Sequence, residues 1–341
     1  MKHLLAKSAT ALLAAPLAVL LVQDAPSAVT ASGAAQNPAV VAQARAHFIH
    51  AMSAHAPAVG TGGWVSPGST LNGAAKAASG SVTGLQSFNW DGYADSESGT
   101  NTLTSASGSW TIPAVQCLPR PYQNQDAFLA DWVGLDGLTN GTVEQLGTAT
   151  QCYEGVEYYY VWYEMFPAGT IEEGTTACIN NNVNCPQPGD RVSASVTVKP
   201  AGTTNDYTLT LIDHTRPQES FSVAQTCDPT VCADSSAEWI VERPAFSLPF
   251  GFQILPLGLF GRSSFTTSTV VSGGRFTSSG GFKDGPVYDI AMIDDSAGYI
   301  LACNDQPAPP GTLLSATDAS SCPTVAPNFF GGFETSWDSS F

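Results

Sequence analysis

Positive charge is what this chain most lacks. Its 341 residues include 12 Lys+Arg against 29 Asp+Glu. Phosphate backbones are held by basic patches, so nucleic acid is not an expected partner. Charged residues of either sign make up only 12%, about half the usual share. That excludes an acidic disordered tail, a coiled coil and an ordinary helical bundle. The common catalytic signatures are missing too: HExxH, GxSxG, the Walker loop, the dinucleotide fingerprint and the paired Asp-Thr/Ser-Gly of pepsin-like proteases. The one strongly apolar run near the start, residues 9–22, is short for a membrane span, so no membrane is expected.

Cysteine and histidine are scarce by region. No cysteine precedes Cys117, and after residue 80 the only histidine is His214. With one downstream histidine and no C-x-x-C, a metal centre is not expected, and the residues call for no cofactor. His214 in Asp213-His214-Thr215 sits at a turn and is a poor base for a serine triad. What is present is apolar and turn-rich: 43% hydrophobic residues, 32 Gly and 23 Pro. That mixture fits a globular, mainly β protein.

The charge is divided along the chain. Lys2, Lys7, Arg45 and Lys76 are the basic residues of the first 80, against Asp24 alone, so the remaining 261 carry 12−4 = 8 basic and 29−1 = 28 acidic residues. Carboxylates titrate near about 4, so such an excess suits an acidic medium, where many are neutral. The N-terminus has a basic start (Lys2, His3, Lys7), a short apolar stretch and small residues around 25–31. This is the pattern of a secretory signal peptide. We therefore divide the chain into a signal peptide at 1–30, a propeptide or linker at 31–82 and a main domain at 83–341. Residues 40–52 can form a short helix. A weakly basic leader ahead of a strongly acidic domain suits a propeptide that docks on that domain electrostatically.

Eight cysteines behind a signal sequence read as disulfides. Sequential pairing, 117–152, 178–185, 227–232 and 303–322, is the economical choice among 105 possible connectivities. After residue 84, β-rich runs recur at 108–112, 130–135, 156–165, 191–198, 207–213, 237–241, 287–293 and 299–303, separated by Gly, Pro, Asn and Asp clusters. They predict an antiparallel sandwich or barrel, with no helix in this region. Period-two alternation places Glu238, Ile240 and Glu242 on one face of their strand and Ala237, Trp239 and Val241 on the other. Trp162 shares a face with Glu164, and Trp132 with Asp136. A face lined by tryptophans and acids fits a polymer-binding cleft or an ordinary half-solvated sheet equally well.

Five segments in order carry a resemblance: Asn89-Trp90, Trp132-Val133-Gly134-Leu135-Asp136-Gly137, Val143-Glu144-Gln145-Leu146-Gly147, Trp162-Tyr163-Glu164-Met165-Phe166-Pro167 and Ser236-Ala237-Glu238-Trp239-Ile240-Val241-Glu242. Together they resemble the glutamic peptidase (eqolisin) family, its bacterial branch more than its fungal one. The resemblance implies an all-β antiparallel sandwich of two bent sheets, a concanavalin-like jelly roll. It also implies a secreted preproprotein, acid-active, monomeric and needing no metal, that acts on protein or peptide substrates with its propeptide as an inhibitor. By position, Gln145 and Glu238 match the catalytic dyad, and Trp90, Trp132, Asp136 and Glu164 match residues lining the substrate cleft. Glu144 points away from Gln145 on a regular strand. The chain departs from the fungal pattern at Tyr160 and at Thr148-Ala149-Thr150. It also carries a cysteine-free apolar stretch, 244–261, that reads either as a packed loop or as a lid. Residues 333–337 read as a last strand or a tail. The alternatives of another class are a carbohydrate-binding sandwich or a glycosidase using Glu164 and Glu238. Both make Gln145 dispensable.

Overall fold

Residues 204–213 show how this sequence makes strands. In Thr-Asn-Asp-Tyr-Thr-Leu-Thr-Leu-Ile-Asp every second side chain, from Asn205 through Tyr207, Leu209 and Leu211 to Asp213, is buried. That period of two is the signature of a sheet with one face in the core.

A computed structural model describes residues 36–53, 82–87, 89–96, 103–117, 126–138, 140–201, 203–248, 251–272, 275–278, 287–293, 300–305 and 333–337. Helix α1 (Pro38–Met52) comes first. The strands follow as β1 (Val82–Ser87), β2 (Trp90–Ser96), β3 (Leu103–Thr111), β4 (Ala127–Leu135), β5 (Val143–Tyr153), β6 (Val156–Phe166) and β7 (Ile171–Glu173). After the short helix α2 (Thr176–Asn181) come β8 (Arg191–Ala201), β9 (Thr204–Asp213), β10 (Phe221–Cys227), β11 (Ser236–Glu242), β12 (Ala245–Leu248) and β13 (Gly251–Ile254). The last are β14 (Arg262–Ser272), β15 (Arg275–Ser278), β16 (Val287–Ile293), β17 (Ile300–Asp305) and β18 (Phe333–Trp337).

The strands hydrogen-bond in the order β10-β9-β8-β3-β14-β18-β17-β16-β2-β11-β4-β5-β6-β7, with β1 on β16 and β15 on β14. All these pairings are antiparallel except β1 with β16. The path folds back on itself, so that β3, β8 and β9 face β4, β5 and β11. Val196, Leu209 and Leu211 of one layer meet Val133, Leu146 and Trp239 of the other in one continuous core. This is the two-layer antiparallel sandwich that the sequence predicts.

Three of the four expected disulfides are present, Cys117–Cys152, Cys178–Cys185 and Cys227–Cys232. Cys322 of the fourth, 303–322, lies outside the described residues, as does the signal segment. Two local expectations need correction. Helix α2 forms inside the Cys178–Cys185 loop, where six residues are too few for any periodicity to show. Strand β5, which carries Gln145, does not stand out in the sequence because all eleven of its residues are buried. With both faces covered, Gln145, Thr148, Thr150 and Gln151 sit where alternation would demand apolar residues. Within the apolar stretch, Leu257, Leu259 and Phe260 pack on the core and Leu255 on the opposite face of the sheet. Strands β12 and β13 of that stretch pair as an antiparallel hairpin, and residues 333–337 are a strand.

The outer face of β4, β5, β6 and β11 is covered by α1. Asn37 caps the helix, its side chain accepting from the Ala39 N–H at 3.0 Å. Val41, Ala44, Phe48, Ala51 and Met52 recur at helical spacing and are fully buried. They join Trp90, Trp132, Tyr160, Trp162 and Ile240 in a second apolar cluster.

Candidate active site

Strand register brings four positions into one row. Glu238 on β11 pairs with Gly134 on β4, Gly134 pairs with Gln145 on β5, and Gln145 pairs with Glu164 on β6. Directly paired residues in an antiparallel sheet project to the same side. Adjacent strands lie about 4.8 Å apart, so the Glu238 and Gln145 backbones stand roughly 10 Å from each other. The position between them has no side chain. A Cβ on Gly134 would lie 3.2 Å from the Gln145 Cβ and 3.1 Å from Trp132 Cζ3.

The next row on the same face, two residues along, is Ile240, Trp132, Gly147 and Trp162. Gly147 has to be glycine, since a Cβ there would meet the Trp132 Cβ at 2.7 Å and run into the Asp131 carbonyl. Trp132 Nε1 donates to Glu242 Oε2 at 2.8 Å. Trp90 packs edge-on against the Trp132 ring, with centroids 4.9 Å apart. The expected tryptophan wall is therefore one assembly beside the row.

Gln145 is oriented by its neighbour. Its Nε2 donates to Glu164 Oε2 at 2.8 Å, and Thr170 Oγ1 donates to Glu164 Oε1 at 3.0 Å. A carboxylate can only accept here, so it fixes which end of the amide is nitrogen. One N–H of the amide remains for another acceptor, and Oε1 has no protein hydrogen-bond partner.

Glu238 is fully buried, and neither of its oxygens sits in a well-formed hydrogen bond. Burial pushes its carboxyl well above the usual range, and the nearby charges of Asp136 and Asp95 push the same way. The Ser236 hydroxyl, and to a lesser extent the Leu138 backbone, oppose this without cancelling it.

Asp136 occupies a different place from that implied by strict alternation. The strand ends at Leu135, and Asp136 takes a left-handed backbone conformation with φ 67°. Its carboxylate accepts from the Asp234 N–H at 2.8 Å, the Ser235 N–H at 2.9 Å and the Ser235 hydroxyl at 3.0 Å. It thus ties down the loop entering β11, close enough to Glu238 to act on its charge. Glu144 projects to the other face of β5, where oxygens of Asp136, Glu144 and Asp234 lie within 4.8 Å of one another. This trio is the one close set of acidic ligand atoms among the described residues. Asp234 is already engaged by Asn205 Nδ2 at 2.8 Å and the Tyr207 hydroxyl at 2.6 Å.

The covering helix is held by specific contacts. The Phe48 ring stacks on Tyr160 at 4.0 Å, nearly parallel. Arg45 pairs with Glu172, donates to the Cys178 carbonyl and lies over the Tyr160 ring at 5.2 Å. His47 meets Asp126 at 2.9 Å. At the helix C-terminus, Ser53 Oγ accepts from the Thr170 N–H at 2.9 Å. Ser53 is therefore linked to Gln145 through Thr170 and Glu164. The sequence did not single out Gly134, Thr170 or Asp234, because their roles depend on which strands become neighbours.

The sequence model of the peptidase A4 family matches residues 88–304. The crystal structure of Scytalido-glutamic peptidase with a peptide-based transition state analogue is similar at 19% identity and TM-score 0.49, covering 73% of this chain and 98% of that one. The structure of aspergilloglutamic peptidase from Aspergillus niger is similar at 22% identity and TM-score 0.39, covering 62% and 99%. No curated protein sequence matches the chain significantly.

Proposed function

The chain belongs to the peptidase A4 family, the glutamic endopeptidases, and we propose that it is a secreted, acid-active enzyme cutting peptide bonds with Glu238 and Gln145. The observation that carries this reading is the row Glu238–Gly134–Gln145–Glu164. It sets a carboxylate and an oriented amide on either side of a bare position.

In this reading the scissile carbonyl and a water lie in the gap over Gly134. Ionised Glu238 takes a proton from the water as its oxygen bonds to the carbonyl carbon. Gln145 Oε1 accepts the water's other hydrogen. The Nε2 hydrogen not given to Glu164 stabilises the developing oxyanion. Protonated Glu238 then gives its proton to the amide nitrogen, the C–N bond breaks, and the amine leaves. Glutamine does not titrate, so the oxyanion donor is constant across the acid range. Glu164 orients the amide. Trp90 and Trp132 form the cleft wall, and Asp136 holds the loop before Glu238.

Helix α1 is read as part of a propeptide that inhibits by occupying the cleft. It covers the same sheet face as the row, on which Glu238 is desolvated, and desolvation disfavours the ionised base. When it leaves, water can enter and the carboxyl can ionise at lower pH. Three disulfides and the N-terminal segment support export. Among the described residues no helix is long and apolar enough to cross a membrane. A glycosidase reading is less well supported. Glu164 and Glu238 are three strands apart, roughly 14 Å at the backbone, against about 5–10 Å between paired glycosidase carboxyls.

The test is digestion of haemoglobin by the processed protein across the acid range, with pepstatin present, for the wild type and Glu238→Gln. Pepstatin-resistant cleavage that disappears in the variant supports the reading. No cleavage by folded, fully processed wild type contradicts it.

A further inference from the structure

Glu144 is a carboxyl that the reaction does not use, and its surroundings are hostile to charge. It is fully buried, and neither oxygen has a partner able to donate. The groups close to it on this face are Asp136 from the end of β4, Asp234 from the loop before β11 and the Tyr207 hydroxyl from β9, and the charge of Glu238 on the other face of the sheet also reaches it. Every charge acting strongly on it is another carboxylate. Asp136, by contrast, is fully committed: it accepts from the Asp234 N–H, the Ser235 N–H and the Ser235 hydroxyl. The Asp136 N–H in turn donates to the Ser236 carbonyl at 2.9 Å. These residues lead directly into Ala237 and Glu238. Two carboxyl groups in contact inside a protein are compatible when one keeps its proton and donates it to the other.

We propose that Glu144 is a proton-holding positioning residue: as a neutral acid it donates to Asp136 and thereby keeps the 234–236 loop, and with it Glu238, in place. Loss of that proton would bring Glu144, Asp136 and Asp234 together as three buried like charges. The loop would then be released as pH rises, although Glu238 stays ionised and Gln145 does not titrate. The requirement for acid is thus built into the frame of the site.

Burial pushes Glu144 well above the usual carboxylate range, with Asp136 and Asp234 adding to it. Asp234 is pushed up to about 7, mainly by burial. Folded-state values raised in this way give stability that is complete below the unfolded value and lost as pH rises through the folded one. The sign agrees with a latch that opens toward neutrality.

The functional half of this proposal rests on the peptidase reading, while the structural half does not, so both are measured. Near-ultraviolet circular dichroism and peptide cleavage are followed from about pH 3 to about pH 9 for the wild type, Glu144→Gln and Glu144→Met. Glutamine can donate to Asp136 and cannot ionise. It should keep acid activity within about threefold and move the midpoint of alkaline signal loss up by about one pH unit or more. Methionine removes the charge and the donor together. It should also move the alkaline midpoint up, while its kcat falls about tenfold or more through misplacement of Glu238. A wild-type midpoint in both variants overturns the proposal. So does a uniform loss of activity in Glu144→Gln with an unchanged pH profile. A midpoint that moves with millimolar calcium or with chelator would mean that a cation, and not a proton, balances the cluster, and would also overturn it. If no variant cleaves peptide but the spectroscopic midpoints move as expected, the peptidase reading fails and the latch stands.

Discussion

Glu238 and Gln145 pair with the same residue, Gly134, from its two sides. The strand between them carries no side chain at the one point where a substrate carbonyl and a water would have to sit. Gly134→Ala should therefore lower kcat/KM by about a hundredfold, the scale of a roughly 1 Å misplacement at a reacting centre. The added Cβ contacts Gln145 Cβ at 3.2 Å and Trp132 Cζ3 at 3.1 Å, so the fold should lose only about 1–3 kcal/mol. Steady-state kinetics beside a thermal melt checks this. Full activity in a folded Gly134→Ala enzyme would show that the gap is not used.

Glu164 is expected to act through Gln145. Removing its carboxylate in Glu164→Ala takes away the acceptor at 2.8 Å that orients the amide. A hydrogen bond to a charged group contributes about 1.5–3 kcal/mol, so kcat should fall about ten- to a hundredfold while KM changes little. Glu164→Gln keeps an acceptor oxygen and should recover part of the loss.

The leader helix should behave as an inhibitor whose grip depends on two side chains. Phe48→Ala empties the stacked seat on Tyr160, at a cost of about 3 kcal/mol or more. A separately made leader peptide carrying it should bind the processed enzyme at least about a hundredfold more weakly by calorimetry. Arg45→Ala leaves the buried Glu172 carboxylate without its partner and should also weaken binding. Equal affinity of the wild-type and Phe48→Ala peptides would place the helix elsewhere in solution.

Stability should fall as pH rises toward neutrality. Asp131 is pushed up to about 7 by burial, only partly opposed by the Ser263 hydroxyl. Asp234 lies at about 7 for the same main reason, and burial pushes Glu144 and Glu238 well above the usual carboxylate range too. Each is a carboxyl whose folded value exceeds its unfolded one. The stabilisation is therefore complete below about pH 4 and is lost progressively toward about pH 7, each group contributing about 1.4 kcal/mol for every tenfold gain in its proton affinity on folding. Calorimetric melts across this range should give a Tm that decreases with pH. A Tm rising from acid to neutral would contradict the assignment of these groups as buried acids.

The period-two strands of the outer layer were legible in the sequence, because one face is wet and one dry. Residues 207–213 and 191–198 are the clearest cases. The site strands were harder. Strand β5 is buried along its whole length, since α1 covers the face that would otherwise be exposed, and burial on both sides erases alternation. The helix itself was readable from Val41, Ala44, Phe48 and Met52. Which surface it covers was not, because docking joins residues more than a hundred positions apart. Gln145, Glu238, Trp90, Trp132 and Glu164 could be named from local motifs. Gly134 as the gap and Thr170 as the support of Glu164 follow only from register. Asp136 was recognised as an acid of the site. Its positive φ, which turns it toward the Asp234–Ser235 backbone, leaves no mark on alternation.

The most direct test is the hydrolysis of a fluorogenic peptide at about pH 3–4 by processed Glu238→Gln and Gln145→Ala, each shown to be folded by its binding of the leader peptide. Loss of an oxyanion donor alone costs about a hundred- to a thousandfold in kcat. The account predicts at least that for Gln145→Ala and an equal or larger loss for Glu238→Gln, with leader affinity retained. Folded Gln145→Ala enzyme with wild-type kcat would contradict it.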